Sequence, residues 1–114
     1  MLQLEIYQRH YDLILYMYPI IRRMPKSERH VLGQQIRHSL LDISKMIVEA
    51  NKSRSKLPTL YRIDVELEKL RLLVRLAKDL EFISVRRYGI IAERINEIGR
   101  MLGGWIKSQT KELR

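Results

Sequence analysis

The sequence predicts an all-α protein, an antiparallel up-down-up-down bundle of four helices forming one domain over residues 1–114. Three observations carry that prediction. Apolar residues recur three or four positions apart in four separate blocks, the spacing that lines one face of an α-helix. No segment alternates polar and apolar residues with period two, and no Asn-Gly or Asp-Gly pair marks a hairpin, so strands are not expected. The connections at 24–26, 55–58 and 81–84 are short, which turns each helix back against the one before it.

The first block, Leu4, Tyr7, Tyr11, Ile14, Tyr18 and Ile21, predicts a helix over about Leu4–Arg23. Pro19 lacks a backbone donor and is expected to bend that helix without dividing it. Pro25 ends it. Ser27 is the expected N-cap of a second helix over Ser27–Arg54, with Glu28 near the positive end of its dipole. Its stripe is Leu32, Ile36, Leu40, Ile43, Ile47 and Ala50, widened by Leu41 and Val48. Gly33 costs up to about 1 kcal/mol relative to Ala in such a helix, so it is expected to permit a close contact.

Pro58 suits the first turn of a third helix, where its missing N–H is harmless. Leu60, Ile63, Leu67, Leu70, Val74 and Ala77 form its stripe. Leu72, Leu73, Leu76 and Leu80 add a second apolar face, which predicts burial against more than one neighbour. Ser84 caps a fourth helix with the stripe Tyr88, Ile91, Ile95, Ile98, Leu102 and Trp105, running to about Thr110. Gly99, Gly103 and Gly104 interrupt it, each at about 0.8–1 kcal/mol. Either they form a small-residue surface for close helix packing, or the helix ends or kinks at Gly103 with Trp105 swung outward as an interface anchor.

Composition narrows the function classes. The 114 residues are 46% hydrophobic, enough for one modest core, and contain no cysteine. Disulfides, thiolate nucleophiles and cysteine-based zinc sites are excluded, a usage that fits a reducing cytoplasm. The longest nearly continuous apolar run, Leu13–Ile21, falls well short of the roughly 20 residues that cross a bilayer. The N-terminus lacks a basic region followed by an apolar one, so no secretory signal and no membrane partner are expected.

Charge points to a polyanionic partner. The formal net charge is +9, and residues 22–62 hold ten basic and three acidic side chains. A solvated face that keeps the protein soluble is the other reading of such a surplus. Two groups are candidate nucleic-acid contacts. Lys52, Arg54, Lys56 and Arg62 surround the turn between the second and third helices, and Arg71, Arg75 and Lys78 share one face of the third. Tyr61, beside Arg62, could stack on a base or serve an interface or the core.

Catalysis has little support. No Glu-x-x-His pair of the kind that holds two metal ions in a bundle occurs, so neither metal nor cofactor is expected. Glu93 and Glu97 share a face, as do Asp64 and Glu68, but each pair sits beside Arg or Lys and reads as ion-pair chemistry. His10, His30 and His38 fall on polar flanks and read as surface or cap residues.

Four segments carry a family resemblance: PKSERHVLGQQ (Pro25–Gln35), Glu49-Ala50-Asn51, LRLLVRLAKDL (Leu70–Leu80) and IGRMLGGWIK (Ile98–Lys107). With them the chain resembles the small four-helix-bundle family that includes proteins encoded within intervening sequences of large-subunit ribosomal RNA genes. Ala77-Lys78-Asp79-Leu80 together with Ile98–Trp105 is most similar to the Avd family, the accessory variability determinants of diversity-generating retroelements. That resemblance implies a non-enzymatic homopentamer with a basic surface that binds the retroelement's reverse transcriptase and its template RNA in support of mutagenic copying; with the charge, RNA or DNA is the expected nucleic-acid partner. A structural or ribosome-associated interaction protein of the intervening-sequence type is the alternative it leaves.

Overall fold

A computed structural model describes residues 2–112, with side-chain surroundings for residues 5–111. The elements are α1 (Leu2–Arg22), the single turn α2 (Lys26–Arg29), α3 (Leu32–Lys52), α4 (Leu57–Asp79) and α5 (Val85–Glu112). No strand occurs among the described residues. The four long helices close a ring in the order α1, α3, α4, α5. Side-chain pairs show every neighbour antiparallel. His10 meets Leu40 while Ile21 meets Gly33 across α1 and α3, and Ser39 meets Glu66 while Glu49 meets Arg62 across α3 and α4. Arg71 lies by Gly99 and Lys78 by Tyr88 across α4 and α5, and Arg9 meets Glu97 while Tyr16 meets Arg94 across α1 and α5. The result is the expected up-down-up-down bundle, 49 × 23 × 20 Å in extent.

Three of the four expected stripes form the core. Leu32, Ile36, Leu40, Ile43, Ile47 and Ala50 of α3 are buried, as are Leu60, Ile63, Leu67, Leu70, Val74 and Ala77 of α4. On α5, Ile91, Ile95, Ile98, Leu102 and Trp105 are buried and Tyr88 packs against them from the edge. Helix α1 is different, because its inward residues are Ile6, His10, Leu13, Met17, Ile20, Ile21 and Met24. Of the expected series only Ile21 belongs to the core. Tyr7 and Tyr11 are exposed, Ile14 and Tyr18 half-buried, and Leu4 lies outside the described side chains. The helix is rotated by about a quarter turn from the expected face, which leaves the tyrosine hydroxyls near water while the apolar bodies of Ile and Met fill the interior.

The second expected helix is two elements. Pro25, with φ −51° and ψ 142°, precedes α2, and its carbonyl accepts from the N–H groups of Glu28 (2.8 Å) and Arg29 (2.9 Å). Ser27 therefore does not act as the cap; it lies inside α2. The backbone breaks at Val31 (φ −115°, ψ −85°), whose carbonyl then accepts from Gln35 to start α3. This offset seats Gly33 against the end of α1. A Cβ there would stand 3.0 Å from Ile21 Cγ2 and 3.4 Å from the Glu28 carbonyl oxygen, so the close contact expected of Gly33 has its partners.

Other boundaries follow the expected chemistry. Pro58 occupies the first turn of α4, and the N–H of Arg87 donates to Ser84 Oγ at 3.2 Å in the expected cap of α5. Helix α4 ends in a Schellman motif: Phe82 N–H donates to the Ala77 carbonyl (2.8 Å) and Glu81 N–H to that of Lys78 (2.9 Å). Glu81 holds the left-handed position at φ 66°, which is usually given to glycine.

Neither expectation for the α5 glycines holds within the chain. The helix runs unbroken through Gly103 to Glu112, and Trp105 points into the core. A Cβ at Gly103 or Gly104 would meet no atom within 4 Å, so no helix packs there, while one at Gly99 would stand 3.0 Å from an Arg71 guanidinium nitrogen.

Candidate nucleic-acid interface

The seven candidate basic residues fall on the surfaces expected of them, but most are engaged by the protein itself. Lys56 Nζ donates to the carbonyl oxygens of Ala50 (2.9 Å), Asn51 (3.1 Å) and Ser53 (2.7 Å). Those are the orphan acceptors at the end of α3, so the ammonium acts as a C-terminal cap placed at the negative end of the helix dipole. Arg62 pairs with Glu49 at 3.6 Å across α3 and α4. On α4, Arg71, Arg75 and Lys78 do share one flank, and each has a carboxylate: Arg71 binds Glu68, while Arg75 (3.7 Å) and Lys78 (2.9 Å) both hold Asp79. Lys78 also sits 4.7 Å from the centre of the Tyr88 ring. Only Lys52 and Arg54 of the seven have no internal partner among the described residues, and both are exposed.

Helical position explains the pairing. Glu68 precedes Arg71 by three residues and Asp79 follows Arg75 by four, the spacings that set side chains together on a helix. Surface pairs of this sort contribute only about 0–1 kcal/mol, so a phosphate can exchange for the carboxylate at small cost. The patch at the α3–α4 turn thus keeps its free charge, whereas the α4 flank is close to neutral.

The second apolar face of α4 is exposed to solvent. Leu72 is 67% exposed, and Tyr61, Val65, Leu76 and Leu80 are also open to solvent; Leu73 alone of the expected set packs on the core. Neighbouring α3 and α4 side chains, including Asp42, Lys45, Val65 and Lys69, line an open groove of about 640 Å³ beside this face. A second exposed band lies along α1 and α3. There Tyr7 and Tyr11 stack at 6.5 Å between ring centres with 17° between planes, and Leu41 and Val48 stand open on α3. The helical spacing of Tyr7 and Tyr11, and of Leu41 and Val48 at the margin of the α3 stripe, is expected to place them on apolar inward faces. A tyrosine at helical spacing reads as apolar; the rotation of α1 turns Tyr7 and Tyr11 outward, while Leu41 and Val48 lie on α3 beyond the edge of its buried stripe.

The histidines divide. His30 and His38 are exposed as expected, the latter in contact with the Gln34 side-chain amide at 3.2 Å. His10 is a correction: it is 1% exposed, and its Nε2 donates to the Leu40 carbonyl oxygen at 2.7 Å. Burial lowers its pKa below the ordinary 6.5, against a smaller upward pull from that carbonyl. Nδ1 has no partner, so His10 is a neutral imidazole bridging α1 to α3. One acid of each pair is in an ion pair, Glu97 with Arg9 and Glu68 with Arg71. Among the described residues no three His, Asp or Glu side chains converge as metal ligands, and no helix is long and apolar enough to cross a membrane.

Residues 4–109 fit the family model described as bAvd-like, which takes in all four long helices and every candidate contact above. No curated protein matches the chain.

Proposed function

The chain belongs to the bAvd-like family, and from that premise we propose that it is a non-enzymatic accessory subunit of a diversity-generating retroelement, binding the reverse transcriptase and its template RNA. The family match over residues 4–109 carries this reading. Two features of the molecule support it. The net charge of +9 gives a surface attracted to polynucleotide phosphates. The exposed apolar residues of α4, and those shared by α1 and α3, offer more uncovered apolar surface than a bundle working alone requires. Assembly into a closed homopentamer would cover part of it and leave the rest for the polymerase.

Within this proposal RNA contacts the seven basic residues unequally. Lys52 and Arg54 meet phosphates directly. Arg62, Arg71, Arg75 and Lys78 exchange their carboxylates for phosphate, and Lys56 stays on the end of α3. The test measures binding of a fluorescent single-stranded RNA across a salt series, alongside co-purification with the co-expressed reverse transcriptase. Wild type is expected to bind both, with each neutralised phosphate adding about 0.7 to the salt slope. The pair Lys52→Glu and Arg54→Glu should weaken RNA binding, while Lys56→Met should lower stability by about 1–2 kcal/mol and change RNA affinity least. Absence of both RNA binding at low salt and polymerase association would sink the proposal.

A further inference from the structure

The two ends of the bundle differ in how their cations are satisfied, and the end away from Lys52 and Arg54 is the more open. Helix α1 finishes there at Arg22, followed by Arg23 and then α2 with Lys26; helix α5 begins there with Val85, Arg86 and Arg87. The α1–α5 register is set by Arg9 with Glu97 and by Tyr16 with Arg94, whose guanidinium lies 4.7 Å from the centre of the Tyr16 ring. Continuing that antiparallel register by two turns brings Arg22 and Arg23 level with Arg86 and Arg87. These four arginines and Lys26 therefore lie at the same end of the bundle.

None of these five cations has a carboxylate within ion-pair distance among the described residues, and all but the half-buried Arg87 are exposed. Three acids share this end. Asp79 is taken by Arg75 and Lys78, which leaves Glu28 and Glu81 against six positive charges, these five and Arg29. Arg29 is not part of the set, because its Nε is buried and its carbonyl oxygen accepts from Arg37 at 3.0 Å. The contrast with α4 is informative. There Arg71, Arg75 and Lys78 each have a carboxylate, whereas here arginines adjacent in sequence have none. Like charges concentrated in this way repel one another and gain most from a polyanion that brings several phosphates at once. Each planar guanidinium can also bind phosphate oxygens in bidentate fashion.

We propose that Arg22, Arg23, Lys26, Arg86 and Arg87 form a phosphate-binding pole that holds the backbone of a single-stranded RNA. It rests on the RNA-binding reading above but names a different surface, about 30 Å of helix away from the α3–α4 turn. An RNA held at both ends lies along the bundle.

The experiment uses the full chain and a fluorescent mixed-sequence RNA of about 20 nucleotides, titrated at several salt concentrations. Arg86→Glu with Arg87→Glu, and separately Arg22→Glu with Arg23→Glu, are each expected to weaken binding about tenfold or more. The corresponding double alanine variants should lower the salt slope by about 1.4, the loss of two phosphate contacts on a single strand. Circular dichroism and melting confirm that each variant is folded, and the milder alanine pairs keep the test open should a charge-reversed pair not fold. Wild-type binding with unchanged affinity and slope in the pole variants overturns the pole while the functional proposal stands. No binding by wild type overturns both. Variants that keep RNA affinity but lose the co-expressed polymerase identify the pole as a protein surface and also overturn it.

Discussion

Replacing four of this chain's five glycines one at a time by alanine separates close packing from open surface, because their surroundings are of three kinds. At Gly33 the new methyl would meet Ile21 Cγ2 at 3.0 Å and the Glu28 carbonyl oxygen at 3.4 Å. Ile21 is fully buried and branched at Cβ, and the carbonyl belongs to α2 and already accepts from the Val31 N–H, so neither can retreat far. Overpacking of this type costs about 1–3 kcal/mol, against a propensity gain below about 1 kcal/mol. Gly33→Ala is therefore expected to destabilise by about 1–2 kcal/mol. At Gly99 the clash is with the far end of the Arg71 side chain, which can swing away from Glu68; the gain and the lost contact nearly cancel. Gly103→Ala and Gly104→Ala meet no atom within 4 Å in a continuous helix, and each should stabilise by about 0.8–1 kcal/mol. For a chain of this size that is an upward shift of several degrees in melting temperature per substitution. Denaturant titration at several protein concentrations, with thermal melts, reads all four. The ordering Gly33 lowest, Gly99 unchanged, Gly103 and Gly104 highest is the expected outcome. A loss of stability at Gly103 or Gly104 that deepens with protein concentration would refute the open-surface reasoning and place another chain against α5.

Two further outcomes are expected. His10 is neutral and buried in the fold, so below pH 6.5 the unfolded chain takes up a proton that the folded chain refuses, and stability falls by up to about 1.4 kcal/mol per pH unit down to the lowered folded pKa. Above pH 6.5 this contribution is constant. His10→Gln should flatten the dependence between pH 6.5 and 5 in urea titrations, and equal slopes in variant and wild type would refute it. Glu81→Gly should stabilise by about 0.5–1 kcal/mol, since φ 66° strains a residue with a Cβ; a melting temperature unchanged or lowered would show that the glutamate side chain compensates.

How far the fold could be read from the residues varies helix by helix, for physical reasons. On α3, α4 and α5 the inward positions are almost all aliphatic, so spacing alone identifies the buried face. Helix α1 carries two competing series at equal spacing. One is Tyr7, Tyr11, Ile14 and Tyr18; the other is Ile6, His10, Leu13, Met17 and Ile20. Counting tyrosine as apolar and histidine as polar selects the first. The interior selects the second, because a single neutral imidazole bonded to the Leu40 carbonyl is cheaper to bury than three phenols. The break between α2 and α3 was signalled only by Gly33. Its cause, the approach of Ile21 from a helix ten residues earlier, is a tertiary contact that local propensity does not contain.

The charged surface was harder to read than the core, and the reason is that availability is a pairwise property. The α3–α4 turn and the α4 flank look alike as runs of Lys and Arg. They differ once Glu49, Glu68, Asp79 and the carbonyls ending α3 are counted as competitors for the same donors. Glu68 and Asp79 sit at helical spacing from Arg71 and Arg75, so the near-neutrality of the α4 flank was present in the sequence as a pattern of acids. The Lys56 cap and the Glu49–Arg62 bridge depend on how the α3–α4 turn folds, and the placement of Arg22 and Arg23 at the same end as Arg86 and Arg87 depends on a register between helices more than sixty residues apart. A cation contributes to phosphate binding according to what it must give up, which makes the unpaired arginines at the α1–α5 end stronger candidates than the denser basic run beside Pro58.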